Sequence, residues 1–326
     1  MLQMKLLWTL ILFSAAALGQ VKITPEAERV RVEIDGRPFT DFVVKGSEAM
    51  KPYLWPLRSA SGKMVTRHFP MERVEGEPAD HPHQRGLWFA HEGVNGVDFW
   101  NNEASYKAPP PRGRITAANL RAKSGHSTGR ITADLQWLDP QGAKLLDESR
   151  VMTFFAHPTL RIIDFAITLT AATKVTFSDA KDGTLGIRIA PALQEDKVIK
   201  EKGKPDRALP GPPGTIVNAE GMEHEKAVWG KPSNWVDYFG EIEGEKLGIA
   251  IFDHPANQRR ARWHVRGYGL FAANPFGLGA FTGDKSQDGS LTLEPGGSLV
   301  LHYRVIIHPG DAKSAGLAKL WEEYSK

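Results

Sequence analysis

Apolar residues recur at every second position along much of this chain, and that period limits its fold more than any other feature. Between positions 160 and 170 the odd-numbered residues Ile163, Phe165, Ile167 and Leu169 are apolar, and between 298 and 308 Leu299, Leu301, Tyr303, Val305 and Ile307 repeat the pattern. Successive side chains of a strand project to opposite faces, so this alternation describes strands with one face buried. Shorter runs at 29–34, 114–120, 130–138, 149–155, 185–189 and 247–252 read the same way, with Gly, Pro, Asp or Asn between them. Many strands joined by turns predict an all-β fold, a large antiparallel β-sandwich. One helix is expected at the C-terminal end. Asp311 offers an N-cap after Gly310, and Leu317, Leu320, Trp321 and Tyr324 recur at helical spacing, a stripe suited to docking on the sandwich.

The start of the chain points to export. Lys5 precedes an apolar run from Leu6 to Leu18, and Ala17-Leu18-Gly19 puts small residues where a signal peptidase reads. A signal peptide over residues 1–19 is therefore expected, with residues 20–326 as a single β-sandwich domain in the periplasm or outside the cell. A membrane anchor is the alternative, but the run is short for a spanning helix, and no integral membrane segment is expected after cleavage. With no cysteine in the chain, neither a disulfide framework nor a lipidated N-terminal cysteine is available. The 41 basic and 38 acidic residues nearly balance, and the basic ones are scattered, which argues against nucleic acid as a partner. A local group, Arg259, Arg260, Arg262 and Arg266, could still meet an acidic substrate or simply form a solvated strand face. The expected partner is a small molecule or an oligosaccharide; oligomeric state is not readable here.

The chemistry concentrates between Asp80 and Trp100, where the chain reads DHPHQRGLWFAHEGVNGVDFW. Pro82 pushes His81 toward the extended region, so His81 and His83 are expected to share a face. Imidazoles titrate near neutral pH and are common metal ligands, so the pair suits proton transfer or capture of a divalent metal. Arg85, His91, Asn95 and Trp100 complete the candidate wall; the plain alternative is histidines at a strand end and aromatics in the core. Further along, Lys181 and Asp182 occupy a turn before the strand carrying Arg188, and a hairpin tip would also account for them. Trp235 and Asp237 alternate onto one side of a strand, a pairing that suits a sugar ring and its hydroxyls. Arg262, His264 and Arg266 alternate likewise, and Asn274 opens a turn. The segment 195–234, rich in proline and glycine with little periodicity, is expected to form a flap beside the site or a surface excursion.

Three readings survive. In the first, a carbohydrate cleft carries acid/base chemistry of the epimerase, mutarotase or lyase type, with His83, His264 and Lys181 as catalytic groups. His81, Arg85, His91, Asn95, Trp100, Arg188, Trp235, Asp237, Arg266 and Asn274 would then bind substrate, and no cofactor is expected. In the second the protein binds glycan without turning it over, using its tryptophans as platforms. In the third His81 and His83, with His91 or Glu92, hold a divalent metal for hydrolysis or oxidation; the His-x-His pair lacks the following Glu of a cupin site. Fingerprints for phosphate or nicotinamide binding are absent.

Taken together, Lys51-Pro52-Tyr53-Leu54, Val65-Thr66-Arg67, Asp80-His81-Pro82-His83-Gln84-Arg85-Gly86, Val94-Asn95-Gly96, Asp98-Phe99-Trp100, Trp235-Val236-Asp237, Trp263-His264-Val265-Arg266 with Tyr268-Gly269, and Asn274-Pro275-Phe276-Gly277 resemble the bacterial family catalogued as PmoA-like. The label borrows from a methane oxygenase subunit, an integral membrane protein, and is a misnomer for a chain of this kind. The resemblance implies an exported β-sandwich protein of unassigned activity, common in bacteria that degrade complex glycans, with an architecture similar to galactose mutarotase. Gln84 stands where many relatives carry His, and Asp182 where they carry Glu.

Overall fold

The computed structural model describes residues 19–326 apart from positions 47, 108, 109, 200–202 and 204. The apolar run and all but the last residue of the expected signal peptide lie outside the described residues. Two large antiparallel sheets dominate. The nine-stranded sheet runs, edge to edge, through Arg262–Val265, Leu270–Asn274, Gly183–Arg188, Leu87–His91, Tyr53–Leu54, Arg37–Val43, Arg29–Ile34, Gln20–Pro25 and Gly125–His126. The eight-stranded sheet runs through Thr215–Asn218, Trp235–Ile242, Glu245–Asp253, Ser298–Pro309, Arg161–Ala171, Lys144–Phe155, Thr128–Leu138 and Arg114–Lys123. The all-β sandwich expected from the alternation is the observed fold.

The two clearest alternating runs are neighbours in the second sheet. Ile163, Phe165, Ile167 and Leu169 pair with Val305, Tyr303, Leu301 and Leu299 respectively, so both sets fall on one face. All eight are buried in the hydrophobic cluster that both sheets share. The same interior holds a charged pair that hydropathy would not place there: Glu148 accepts from Arg150 Nε at 2.6 Å and from Trp137 Nε1 at 2.7 Å. Both charges are buried, and the additional indole bond offsets part of what burying a carboxylate costs.

The C-terminal helix spans Leu317–Tyr324, and its stripe docks as expected, against a second apolar cluster that includes Leu160, Ile162, Phe252 and Ile306. Its N-cap is Gly316 in the left-handed region, not Asp311. Asp311 instead closes a turn one step earlier, accepting from the Ser314 N–H at 2.8 Å, and binds Lys246 at 2.7 Å. Two shorter helices, Glu225–Val228 and Leu278–Thr282, lie in connections. The 195–234 segment is less irregular than its composition implies. It contributes the edge strand Thr215–Asn218 to the second sheet and a small hairpin, Val198–Ile199 with Arg207–Ala208. No described helix is long and apolar enough to cross a membrane.

One row of side chains across the nine-stranded sheet positions the site. His264 pairs with Ala272, Ala272 with Gly186, and Gly186 with Trp88. The neighbouring row contains Phe89, whose ring meets Trp137 of the other sheet at 6.2 Å, so that row faces the core. By alternation the row from His264 to Trp88 faces away from it.

Candidate functional site

On that outward face lies a cavity of about 390 Å³, within the range of small-molecule sites. Its walls come from separate stretches of chain. The turn before Leu87–His91 supplies His81, His83 and Gln84, and the loop after it Trp100 and Asn101. The turn before Gly183–Arg188 supplies Lys181 and Asp182, the edge strand and its turn supply His264, Arg266 and Tyr268, and the 195–234 segment adds Asp196 and Glu225. His81, His83, Trp100, Lys181, His264 and Arg266, far apart in the chain, thus line one cavity.

The two neighbouring histidines reach it by a different route from the one expected. His81 is not extended; its φ is 46°, and the Gln84 N–H donates to the His81 carbonyl at 3.0 Å, closing a β-turn around Pro82 and His83. Proline is favoured at the second position of such a turn, and this geometry, not strand alternation, brings the rings together edge to face with centroids 5.7 Å apart. His81 Nδ1 meets Asp80 at 2.8 Å, and His83 Nδ1 meets the Tyr106 hydroxyl at 2.8 Å. Burial, followed by the Lys51 ammonium, holds His83 well below the usual imidazole value, so its ring is neutral. Among the described residues no three His, Asp or Glu side chains come together as a metal-holding group.

His264 sits on the opposite side with 2 % exposure. Arg266 Nε can only donate, and it does so to His264 Nε2 at 3.3 Å, which assigns the ring proton to Nδ1. Nδ1 lies 3.4 Å from Asp182 Oδ1, close enough for charge attraction but without hydrogen-bond geometry. Burial lowers the His264 pKa to about 4, against the opposing pull of Asp182. Lys181 Nζ binds Asp182 Oδ2 at 2.8 Å, and Arg266 binds Glu225 at 2.8 Å. The Lys181 turn is not a hairpin tip, because Val175–Phe177 pairs with Leu291–Leu293 and not with Gly183–Arg188. Asn274 holds that turn from below, donating through Nδ2 to the carbonyls of Ala180 and Lys181 at 2.8 and 2.9 Å.

Trp100 lies over Trp88 with ring centroids 4.8 Å apart. Asp98 Oδ1 accepts from the Trp100 and Asn101 N–H groups, both at 2.8 Å, and Lys51 Nζ donates to the Trp100 carbonyl at 2.7 Å, fixing the loop that presents the indole. The tryptophans can lie against the sheet because position 186 has no side chain: a Cβ there would come within 2.6 Å of Trp100 Cη2 and 2.9 Å of Trp88 Cζ2. Gly186→Ala is therefore expected to cost about 1–3 kcal/mol in urea unfolding and to displace the Trp100 ring, seen as a changed tryptophan emission spectrum.

The remaining candidates lie elsewhere. Arg188 is fully buried just beyond the cavity, bound to Gln84 and to Asp80 at 3.0 Å, with its guanidinium over the Tyr268 ring at 4.6 Å. Arg85 forms a two-bond pair with Glu103 and borders a separate groove of about 740 Å³ that also passes Tyr53 and Trp55 and holds none of the histidines. His91 shares its face with Phe89 and points into the core, packed on Phe276 at 4.8 Å and bonded to the Ser178 carbonyl at 2.8 Å. Asn95 braces a turn by exchanging hydrogen bonds with Lys174 and Thr176. Trp235 belongs to the apolar cluster under the C-terminal helix, on the outer face of the other sheet.

Asp237 shares that outer face and forms a fully buried pair with His308, Nε2 to Oδ1 at 3.1 Å, in space left by Gly248. Burial presses the His308 pKa down, but the Asp237 charge and hydrogen bond outweigh it and raise it above the usual value. A raised pKa stabilises the fold below the unfolded value of about 6.5 and loses that contribution as pH rises through the folded one. Urea unfolding of the natural protein should therefore weaken from about pH 6.5 upward, and His308→Gln should flatten that slope.

Sequence reasoning did not single out Tyr106, Asp196, Glu225 or Tyr268. The first three stand in stretches with no periodicity or motif; Tyr268, two residues beyond Arg266 in a Tyr-Gly turn, was the most readable of them.

Fold and cavity together define a class: large antiparallel β-sandwich proteins with a polar, histidine-bearing cavity on the outer face of one sheet. Within it, the chain belongs to the family of unknown function DUF6807, whose family model matches residues 29–322. No curated protein matches the chain. Among solved structures it is similar to a galactose mutarotase-like protein from Clostridium acetobutylicum, at 9% identity and a TM-score of 0.41 over 89% of this chain and 98% of that one. It is also similar to the α-galactosidase of Lactobacillus brevis, at 10% identity and a TM-score of 0.42 over 89% and 39% of the two chains. The GH36 α-galactosidase AgaB of Geobacillus stearothermophilus matches at 10% identity and a TM-score of 0.41 over 89% and 41%. The chain spans about two-fifths of the length of these α-galactosidases.

Proposed function

We propose that this is an exported carbohydrate-active protein, a single sandwich domain over residues 20–326, that performs acid/base chemistry of the epimerase, mutarotase or lyase type on a sugar or sugar acid. The observation that carries the reading is the meeting of His83, Trp100, Lys181 and His264, from four separated stretches, around one cavity of small-molecule size. A neutral imidazole can take a proton from a sugar hydroxyl or from a carbon beside a carbonyl, and His83 is buried, neutral and held by Tyr106 for that task. His264, with one nitrogen occupied by Arg266 and the other turned to Asp182, orients these two charged groups. Lys181 and Arg266 oppose negative charge building on a substrate oxygen, and the Trp100 ring offers a stacking surface for a pyranose. The motif resemblance to PmoA-like proteins belongs to this same proposal, as does export behind a leader cleaved before Gln20.

One feature favours a binding-only protein as the second reading. Lys181 and Arg266 are already matched to Asp182 and Glu225, a neutralised wall that suits hydroxyl groups as well as it suits catalysis. The deciding experiment is a screen of monosaccharides, keto-sugars, uronic acids and oligosaccharides with the purified mature protein, followed by NMR. New anomeric, epimeric or unsaturated signals are expected from at least one compound; saturable binding with unchanged spectra throughout would establish the binding-only reading.

A further inference from the structure

We infer that the site extends into a second cavity that holds a uronic-acid residue, so that the ligand is an acidic oligosaccharide of two or more units; this rests on the carbohydrate reading above. The second cavity, of about 310 Å³, shares His81, Asp196 and Tyr268 with the first. His81 and Tyr268 stack at the junction with ring planes 4° apart and centroids 5.5 Å apart. A chain of sugars passing from one cavity to the other crosses this flat pair.

The wall of the second cavity is short of acceptors. Arg188 and Gln194 both line it, at 0 % and 2 % exposure, and Arg188 Nε and Gln194 Nε2 are buried without a hydrogen-bond partner. Buried donors left unmatched cost stability, and native structures seldom keep two of them beside one cavity without a use. Both are N–H groups, so the missing partner is an acceptor. A carboxylate supplies acceptors alone, whereas a hydroxyl brings a hydrogen that needs an acceptor of its own.

Charge sorts the two cavities in the same sense. Around the second, Arg188, Arg67 behind it and Lys197 face the carboxylates of Asp80 and Asp196. Arg67 and Arg188 share Asp80, and Lys197 Nζ donates to the carbonyls of Pro191 and Ala192. Cations are in excess there. Around the first, Lys181 and Arg266 face Asp182, Asp196 and Glu225, and anions are in excess. A ligand carboxylate is therefore attracted to the second cavity and opposed in the first, which leaves the unit beside His83 to be handled through its hydroxyls.

The test uses the mature chain and two matched pairs of disaccharides, α-1,4-digalacturonate against α-1,4-galactobiose and cellobiouronate against cellobiose, titrated calorimetrically. At least one acidic member should bind about tenfold or more tighter than its neutral partner, and the advantage should shrink as salt rises from about 50 to 500 mM. Gln194→Glu should reduce the advantage to less than about threefold while the protein keeps its cooperative thermal transition. Equal affinity for acidic and neutral members overturns the inference and leaves the carbohydrate reading standing. Binding of none of the four, nor of any sugar in the wider screen, overturns both. A preference for acid that survives Gln194→Glu places the carboxylate elsewhere and overturns the inference; if that variant does not fold, the comparison within each pair decides alone.

Discussion

Replacing Asp80 with alanine is expected to remove about 3–5 kcal/mol of folding stability, the range found when one partner of a buried charge cluster is deleted. Arg67 and Arg188 both have side chains with 0 % exposure, and Asp80 is the carboxylate that both of them bind. It also receives His81 Nδ1 at 2.8 Å. Without it two guanidinium groups stay buried with their charges unmatched, and the β-turn that presents His83 loses its anchor. Burial of Asp80 works against its ionisation, yet the hydrogen bond from His81 and the charges of Arg188 and Arg67 outweigh it and hold the carboxyl well below its usual range. The sign of the pH effect follows. A depressed folded pKa contributes stability that is complete above the unfolded value of about 3.9 and is lost as pH falls through the folded one. Urea titrations should show the natural protein losing stability below about pH 4, with Asp80→Ala showing a shallower loss. A destabilisation under about 1 kcal/mol would mean that water or rearranged carbonyls can replace the carboxylate.

His83→Ala is expected to lower turnover of whatever compound the NMR screen identifies by about 10²–10⁴-fold, the usual contribution of a positioned acid or base. Its effect on stability should be much smaller than that of Asp80→Ala, since the ring makes one side-chain hydrogen bond, to Tyr106, and carries no charge to strand. Because burial, followed by Lys51, keeps the imidazole neutral well below pH 6.5, a rate that depends on it as a base should stay level from pH 8 down to about 5. A fall centred near 6.5, or a variant that loses its fold along with its activity, would move His83 from the chemistry into the framework.

The site was legible to different degrees, for physical reasons. Where two candidates lay close in sequence and on an outward face, as with His81 and His83, or His264 and Arg266, local pattern found them, although a β-turn and not an extended strand joins the first pair. Where the reading needed to know which face of a strand met the core, it had no way to choose. His91 and Trp88 are three residues apart in one strand, yet the first packs inward against Phe276 and the second stacks beneath Trp100. Trp235 and Asp237 do share a strand face, but it is the outer face of the other sheet, under the C-terminal helix and beside His308. Residues that act through carbonyls, such as Asn274 holding the Lys181 turn, look in sequence like any polar residue at a strand end.

The amino-acid order by itself determined the strands, the antiparallel sandwich and the amphipathic final helix, because period two and period 3.6 are properties of neighbouring residues and need no partner to be read. Only the tertiary structure decided which polar groups meet. The first sheet brings Arg262–Val265, Leu270–Asn274, Gly183–Arg188 and Leu87–His91 side by side although the chain visits them far apart, and the ion pairs that close the cavity form across those gaps. Hydrogen bonds and charge contacts act over a few ångströms in space, so their partners are set by strand order and register, which no local pattern encodes.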